Sequence, residues 1–471
     1  MERSARAFTH NAHKALADDV LQDNLVKLKG NFLVRRERAR DSLPEFDVLR
    51  DEAKAIKDHT LAHLDLYLEA FEAQVTATGG QVHWARDAAE ARAIVLEICR
   101  AEGARTVTKG KSMIAEEIAL NPYLEAHGIE PVETDLGEYI IQLANEPPSH
   151  IIAPAIHKNR QQVAELFADN HAHLDGRLLD DIDDMLADAR KVLRERFLKA
   201  DIGITGANFM VAETGQTIIV TNEGNGDLTQ LLPRVHIALA SIEKAVPSLE
   251  DVTTILRVLA RSATGQEMAS YTTFSAGGRR DGETDGPEAF HVVIVDNGRS
   301  AMLGSEVQDM LRCIRCGCCL NACPVYGKLG GHVYGTTYSG PMGSVLSPSL
   351  FGIDEMHHLP NASTLCGRCE DVCPMRIPIP RMLRYWRERE TERGLAPSTA
   401  RWGLNLWSAF ASRPTLYRRL MRIGVGVLGR LGRRHGGFAN LPLAGGWTRA
   451  REMPAPEGQT FQDRWQRGER P

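Results

Sequence analysis

The spacing of apolar positions along the chain predicts helices at its start. Leu21, Leu25 and Phe32 recur at intervals that place them on one helical face, and charged residues occupy most positions between them. This pattern predicts a charged helical extension over residues 1–75.

Between residues 76 and 299 the pattern changes to short apolar runs separated by helical stretches. The runs include QVHWA, TVTKG, QTIIVTN, RVHIALA and HVVIVDN, and DAAEARAIVLEICRAEG is one of the helical stretches between them. Alternation of this kind is typical of an α/β domain built around a mostly parallel sheet. The length suits one domain over residues 76–299.

A third pattern begins after Asn297. Residues 300–385 contain eight of the nine cysteines, many Gly and Pro, and little apolar periodicity. Such a segment predicts a small domain organised by metal, because burial alone would not stabilise it. Residues 386–471 return to a helical pattern, and their last part, from residue 453, predicts a disordered tail.

The charge is uneven, and this changes the interpretation of the C-terminal region. The net charge is only −5, yet residues 376–471 hold 19 Arg, no Lys and 7 acidic residues. This basic region predicts either a surface for an acidic partner or anionic lipid, or a solvated Arg-rich helix face. Residues 416–432 predict an amphipathic helix, and no apolar run is long enough to span a membrane. The overall charge does not favour nucleic acid, and the N-terminus lacks a signal-peptide pattern, which predicts a cytoplasmic protein.

The cysteines follow the spacing of a cubane cluster site. The first run is Cys313-x2-Cys316-x2-Cys319-x3-Cys323-Pro324. This spacing is typical of a [4Fe–4S] cluster of the bacterial ferredoxin type. Zinc is the alternative, but four-cysteine zinc sites usually consist of two separated C-x2-C pairs, which this run fits poorly.

A second half-motif, Cys366-x2-Cys369-x3-Cys373-Pro374, repeats the end of the first, with Ser363 where a first cysteine would stand. In two-cluster ferredoxins the fourth cysteine of each run ligates the other cluster. The sequence therefore predicts two [4Fe–4S] clusters with exchanged ligands. The first is held by Cys313, Cys316, Cys319 and Cys373. The second is held by Cys323, Cys366 and Cys369 and lacks a fourth thiolate.

The open corner of the second cluster has several candidate ligands. They are a solvent molecule or one of the side chains Ser363, Cys318, His332, His357 and His358. A three-iron cluster is a further alternative. For Cys318 we favour a packed residue over a ligand, and Cys99 lies on an apolar helical face typical of a core residue.

Polar residues at predicted strand ends form a second candidate site. Lys109 and Lys111 flank a glycine turn that opens a helix, and Asn208 and Glu213 lie near later strand ends. Ligands of open α/β sheets bind at such ends, so the four residues predict a pocket for an anion, carboxylate or nucleotide. The alternative is tight turns with capping side chains.

The order of these motifs resembles the lactate utilization protein B family over about residues 20–435. The segments that carry the resemblance are KGKSM, GITGANFMVAETGQTIIVTNEGNG, CIRCGCCLNACPVY, YSGPMGSVLSP and CGRCEDVCP. The resemblance implies an α/β LUD domain, with a fold like that of CoA-transferases and ribose-phosphate isomerases. It also implies an α-helical ferredoxin-type two-cluster 4Fe–4S domain, with helical extensions at both ends of the chain. The family's seven ligands map onto Cys313, Cys316, Cys319, Cys323, Cys366, Cys369 and Cys373, which leaves Cys318 out.

The resemblance also implies a function. It implies an iron–sulfur electron-transfer subunit of a complex that oxidises L-lactate to pyruvate, acting with lactate utilization proteins A and C. Any membrane contact would be peripheral, through partners, and the sequence does not name the final electron acceptor. One alternative is a catalytic subunit that binds lactate or another 2-hydroxy acid in the LUD domain or at the open iron. Another is a non-enzymatic redox-sensing scaffold.

Overall fold

The chain forms two compact units, Met1–Glu390 and Thr391–Pro471, in the computed structural model. The structure describes residues 5–441, 448 and 451–469, without the side chains of residues 28 and 29. The first unit contains the N-terminal helices, two sheets and the cysteine segment.

Helices open the first unit, as the apolar spacing predicts. They are α1 (Phe8–Leu16), α2 (Asp19–Asp41), α3 (Phe46–Ala62) and α4 (Leu64–Ala77). The carboxylate of Asp18 caps α2 by accepting a hydrogen bond from Leu21 N at 3.0 Å. Helices α3 and α4 bury Phe46, Phe71 and Val75 in the largest apolar core of the molecule. The predicted helical N-terminus is confirmed.

Ten strands of the first unit form two sheets. They are β1 (Gln81–Ala85), β2 (Thr106–Gly110), β3 (Glu130–Glu133), β4 (Ile202–Gly206), β5 (Phe209–Val211), β6 (Gln216–Thr221), β7 (Val235–Ser241), β8 (Ala245–Val246), β9 (Tyr271–Ser275) and β10 (Ala289–Val295). The larger sheet has the order β1-β10-β7-β4-β2-β3, and every neighbouring pair is parallel. The predicted mostly parallel sheet is confirmed. The smaller sheet, β8-β5-β6-β9, is mixed.

Helices between the strands cover the parallel sheet. They are α5 (Ala88–Ala101), α6 (Met113–Glu117), α7 (Leu120–Glu125), α8 (Leu136–Leu143), α9 (Arg160–Asn170), α10 (Ile182–Lys199), α11 (Asn225–Leu231) and α12 (Leu249–Ala263). Strand β7 is buried at all its positions, as expected for a parallel strand covered on both faces. Ile204 and Ile237 belong to the core on one face, and Ala238 and Val292 to the core on the other.

The cysteine segment shares its core with the rest of the first unit. Its helices are α13 (Cys318–Ala322), α14 (Tyr326–Leu329), α15 (Gly340–Phe351), α16 (Ile353–Met356), α17 (Arg368–Asp371) and α18 (Ile379–Glu392). Met310, Met342 and Leu383 pack in the same apolar cluster as Phe46 of α3 and Val252 of α12. One continuous core therefore joins the N-terminal helices, the mixed sheet and the cysteine segment.

The second unit is mainly helical. It contains α19 (Ser398–Ala411), α20 (Pro414–Gly432), β11 (Gly437–Phe438), β12 (Met453–Pro454) and α21 (Phe461–Gln466). The two short strands pair antiparallel, and α21 lies in the tail that the sequence predicts as disordered. No helix in the described part of the chain is both long and apolar enough to cross a bilayer.

Candidate functional site

The two cysteine half-motifs have the same local backbone, displaced by fifty residues. Arg315 and Leu365 each precede a cysteine with a left-handed φ, of 59° and 56°. The glycines that follow those cysteines, Gly317 and Gly367, have φ of 69° and 86°, and each begins a short helix. Left-handed φ is uncommon for a residue with a side chain, so its recurrence at matching positions marks a structural repeat.

The first three cysteines of the first run meet the last cysteine of the second. Cys313, Cys316, Cys319 and Cys373 line one small cavity. Burial, and then the neighbouring thiols, raise the pKa of Cys316 and of Cys319 well above its usual range. Cys318 also lines this cavity, but the four thiols predicted as ligands come from two distant segments and converge around its apolar space. This donor set fits an iron–sulfur cubane with one iron at each thiolate.

The remaining cysteines of the two runs form a second group. Burial, followed by Cys323, raises the pKa of Cys369 to about 12, and Cys366 acts in the same direction. Cys366 itself is exposed, and the backbone N–H of Arg368 lowers its pKa. The three thiols therefore lie near enough to influence one another, and their assignment to a second cluster stays a prediction.

A buried hydroxyl lies beside the thiols without a protein partner. Tyr334 is fully buried, and among the described residues none hydrogen-bonds its Oη. Burial raises the pKa of Tyr334, and Cys323 and Cys319 are among the groups that add to the shift. A buried O–H donor without a protein acceptor, next to thiols, is suited to an iron–sulfur group, because the sulfurs of such an anionic group accept hydrogen bonds.

Two candidates for the eighth ligand lie within the half-motifs. Ser363 stands fifty residues after Cys313, and its Oγ accepts a hydrogen bond from Leu365 N at 3.1 Å. Cys318 is fully buried, and its Sγ donates to Val372 O at 3.3 Å. This bond gives Cys318 the environment of a packed residue. The choice of eighth ligand stays a prediction.

The candidate histidines have other partners. His332 Nε2 lies 2.7 Å from Pro147 O, and His357 Nδ1 lies 2.7 Å from Glu390 Oε1. The ring of His358 packs against Phe8 with centroids 6.2 Å apart. His332 and His357 are thus held by hydrogen bonds that do not involve the cysteines, whereas the Nε2 of His358 is buried without a hydrogen-bond partner among the described residues.

A buried ion network connects the cysteine loop to the α/β domain. Arg299 donates to Glu117 at 2.8 and 2.6 Å, and its Nε lies 2.9 Å from Glu243 Oε2 without hydrogen-bond geometry. Glu243 also pairs with Arg315 at 3.2 Å, and the Arg315 guanidinium lies 4.8 Å from the ring centre of Tyr338. Tyr338 donates in turn to Glu117 at 2.5 Å. Because every member is buried, the network fixes Arg315 between Cys313 and Cys316.

The network leaves positive charge next to the first thiol group. Burial by itself would raise the pKa of Glu243, but the charges of Arg299 and Arg315 outweigh it, so the pKa falls to about 2. Lys244 is buried beside it, and burial followed by Arg315 lowers the pKa of Lys244 to about 8. Cys313 interacts electrostatically with both Arg315 and Lys244. An anionic group held by these thiols would be partly neutralised from this side.

A cavity of about 150 Å³ lies between the parallel sheet and the first thiol group. Lys111, directly after β2, and Asn208, shortly after β4, line it from the carboxyl ends of their strands. Arg315 and Cys316 line it from the cysteine loop. The cavity therefore occupies the edge where open α/β sheets bind ligands, and it borders a predicted cluster ligand.

Lys111 and Asn208, the two predicted residues in this cavity, are firmly positioned. Lys111 has a left-handed φ of 37°, and its Nζ lies 3.0 Å from Asp135 and 2.8 Å from Glu223. Burial alone would lower the pKa of Lys111, but the two carboxylates outweigh it and raise the pKa. Asn208 Oδ1 accepts from Val220 N at 2.9 Å.

The other two residues predicted for this pocket lie elsewhere. Lys109 is buried between Glu116 at 2.6 Å and Glu133 at 2.7 Å. Glu213 is exposed, and its Oε2 accepts from Leu249 N, at the start of α12. The structure thus brings Lys111 and Asn208 together, and it does not bring Lys109 or Glu213 to them.

Comparison with known proteins identifies the family. A LUD domain model matches residues 68–295, a 4Fe-4S dicluster domain model matches residues 309–377, and a model named Lactate utilisation protein B, C-terminal, matches residues 379–470. Lactate utilization protein B of Lysinibacillus sphaericus (strain C3-41) is 41% identical over 465 residues, which cover 98% of this chain and 97% of the relative. The chain belongs to the lactate utilization protein B family.

Other relatives agree with this membership. Lactate utilization protein B of Bacillus pumilus (strain SAFR-032) is 40% identical over 465 residues, covering 98% of each chain. Among solved structures, a DUF162 family protein from Deinococcus radiodurans matches 49% of this chain and 98% of its own at 14% identity. Its TM-score is 0.28, and we draw no structural conclusion from it.

For this lactate utilization protein B family member, the dicluster match identifies the cysteine segment as an iron–sulfur domain. All seven predicted ligands fall within the matched residues 309–377. Which thiol binds which cluster stays a prediction.

Sequence reasoning missed two residues of the neighbouring cavity. Arg315 lies inside the cysteine motif, where the spacing of the thiols carries the sequence signal. Its salt bridge to Glu243 spans 72 residues and leaves no local pattern in the sequence. Glu138 is buried, and burial followed by Glu133 and Asp135 raises its pKa well above the usual range. A carboxyl on an apolar helix, in LGEYIIQL, is the only sequence signal for the second.

Proposed function

We propose that this chain is the iron–sulfur electron-transfer subunit of a complex that oxidises L-lactate to pyruvate with lactate utilization proteins A and C. Membership of the lactate utilization protein B family supports the substrate, since relatives carry that printed name. We place the complex in the cytoplasm, where cysteines stay reduced and available to metal.

The observation that carries the relay role is the adjacency of the two thiol groups. Cys319 of the first group interacts electrostatically with Cys369 of the second as well as with Cys373. When bound, 4Fe–4S clusters supply one-electron transfer at potentials tuned by hydrogen bonds and burial. Lactate releases two electrons and two protons on becoming pyruvate, so two neighbouring one-electron sites suit the stoichiometry.

This chain's own residues define the environment for that role. The apolar wall around the first thiol group, which includes Met310, Met342 and Ile377, excludes water. Arg315 and Lys244 supply positive charge on the side of Cys313. Tyr334 offers a buried donor near the second group.

Reconstitution with the partner proteins tests the relay. The chain is purified without oxygen, alone and with lactate utilization proteins A and C, and the visible absorption of its clusters is followed after L-lactate is added. Bleaching only in the presence of the partners is the expected result. Bleaching in neither sample would overturn the proposal and favour the redox-sensing scaffold.

Ligand variants test the exchanged arrangement. Cys373→Ser should lose iron and sulfide from the first group, although Cys373 belongs to the second half-motif. The matched control is Cys318→Ala, which removes a buried thiol of the same segment and should retain all iron. Equal iron and sulfide contents in the two variants would contradict the exchange.

The 150 Å³ cavity favours a second candidate function, binding of a small 2-hydroxy acid by this chain itself. Lys111 and Arg315 lie on opposite walls, and Cys316 brings the first thiol group to the same space. Cluster bleaching by L-lactate in the isolated chain, lost in Asn208→Ala, would support direct catalysis. Unchanged spectra in the isolated chain at any lactate concentration would exclude it.

A further inference from the structure

One long segment of the second unit has no acidic residue. Residues 393–451 contain 11 Arg, no Lys, no Asp and no Glu. Helices α19 and α20 lie within this segment and pack against each other. Arg422 of α20 pairs with Asp463, which lies outside this segment. The excess of arginine still makes the surface of the two helices positive.

Helix α19 leaves large apolar side chains in water. None of its residues is buried, and Trp402, Leu404 and Trp407 are 70%, 63% and 63% exposed. Arg401 and Asn405, spaced by one helical turn, lie on a different side of the helix from Trp402 and Trp407. Aromatic side chains contribute much of the free energy of burial in protein cores and interfaces. Two solvent-exposed tryptophans on one helix therefore indicate a binding surface.

Helix α20 continues this surface with an exposed apolar stripe. Leu420, Ile423, Val427 and Leu431 follow one another at intervals of three, four and four residues, which places them on one face. All four are exposed, with Ile423 at 64% and Leu431 at 66%. The basic side chains, such as Arg419, border this stripe, an arrangement typical of helices that lie in a membrane interface.

We propose that α19 and α20 bind the surface of an anionic membrane. The apolar side chains would enter the headgroup boundary, where Trp is favoured, and the arginines would contact acidic lipid headgroups. Charge complementarity selects an anionic surface, because the sequence of residues 393–451 carries 11 Arg and no acidic residue. Arg419 and Arg430 are exposed beside the apolar stripe, whereas Arg422 is paired with Asp463 of α21. An acidic protein partner is the competing occupant, and the variants below distinguish it from a membrane.

Vesicle co-sedimentation of the full chain tests the proposal. The probes are vesicles of phosphatidylcholine alone and vesicles with an equal part of phosphatidylglycerol. The chain should sediment only with the anionic vesicles, with a blue shift of its Trp emission, and added salt should weaken binding because it screens the arginines. Failure to bind either vesicle, or equal binding to both, would overturn the proposal.

Variants locate the contact. Arg419→Glu with Arg430→Glu should weaken binding to the anionic vesicles at least about tenfold, since each basic residue near such a surface contributes roughly fivefold. Arg190→Glu with Arg194→Glu on α10, in the first unit, makes the same charge change and should leave binding unchanged.

The apolar contribution has its own pair of variants. Trp402→Ser with Trp407→Ser should weaken binding and abolish the blue shift, while Leu198→Ser with Met268→Ser, equally exposed in the first unit, should do neither. Because none of these side chains is buried, folding is expected to be retained, and far-ultraviolet circular dichroism checks it. Full vesicle binding by the tryptophan variant would contradict the proposal. So would a chain that ignores vesicles but needs these side chains to bind lactate utilization protein A or C, an outcome that assigns the surface to a protein.

Discussion

Removing the central cation of the buried ion network should loosen the junction between the cysteine loop and the parallel sheet. Arg299→Met keeps most of the side-chain volume but removes the charge between Glu117 and Glu243. All three side chains are buried, with Arg299 at 0% exposure. The variant therefore leaves two carboxylates buried with fewer partners.

The magnitude follows from what remains. Breaking one partner of a buried ion pair costs about 3–5 kcal/mol, because the other charge stays desolvated. Glu117 keeps Tyr338 and Asn297, and Glu243 keeps Arg315, so we expect the lower end, about 3 kcal/mol. A cost of this size increases the equilibrium constant for local opening of the surrounding structure by roughly a hundredfold or more.

Hydrogen exchange of the amides of β7 and β10 is the assay, because a chain with several units does not unfold in a single two-state step. Adding Glu117→Gln to Arg299→Met should recover part of the loss, since it removes one stranded charge. Arg196→Met, which breaks an exposed pair with Glu130, is the control and should leave these amides unchanged. A cost below about 1 kcal/mol for Arg299→Met would refute the account of buried, unscreened charges.

The pH dependence gives the same prediction a second readout. The folded pKa of Glu243 is about 2, below its usual value of 4.5, so its stabilising interactions are complete above about pH 4.5. They are lost as the pH falls through the folded pKa. The stability difference between the wild type and Arg299→Met should therefore narrow between about pH 4.5 and pH 2.

Three further changes test the fold around the site. Gly203→Ala should prevent accumulation of folded protein, because its Cβ would lie 1.8 Å from Thr229 O, whereas Gly424→Ala, with open space around it, should fold normally; expression and circular dichroism compare them. Tyr326→Phe should speed hydrogen exchange of the surrounding amides by an amount equivalent to about 1–3 kcal/mol, since Tyr326 Oη donates to a buried carbonyl oxygen at 2.7 Å. Burial lowers the pKa of His236 to about 3, so the unfolded chain binds a proton below about pH 6.5 that the folded chain does not. The opening free energy of the β7 amides, from hydrogen exchange, should therefore fall with decreasing pH by up to about 1.4 kcal/mol per unit from this group, and His236→Gln should reduce that slope.

Apolar periodicity predicts the parallel sheet and the N-terminal helices, because both bury regular faces. It does not separate the two sheets: the run QTIIVTN forms β6 of the mixed sheet, since a strand's own pattern does not specify its neighbours. For the pocket, Lys109 and Lys111 look equivalent in sequence. The structure distinguishes them because β2 ends at Gly110 and Lys111 adopts a left-handed φ, which breaks the strand's alternation of side chains.

The cysteine spacing predicts the division of thiols into four and three, and the structure places Cys373 in the same cavity as Cys313, Cys316 and Cys319. It does not predict the ion network, because the pairing of Arg299 with Glu117 spans 182 residues and depends on the finished fold. The position of Arg315 next to the cavity follows from that network, so the sequence does not predict it either. The assignment of each thiol to a cluster remains a prediction from spacing.

The pairing of the two half-motifs determines what would happen if the chain were cleaved between them. Cys373 lies with the thiols of the first run, and Cys323 acts on Cys369 of the second. If the ligands are exchanged as the spacing predicts, a chain cleaved between Pro324 and Ser363 would yield two fragments, each missing a donor that only the other possesses. Gain or loss of iron by either half should then proceed as one event.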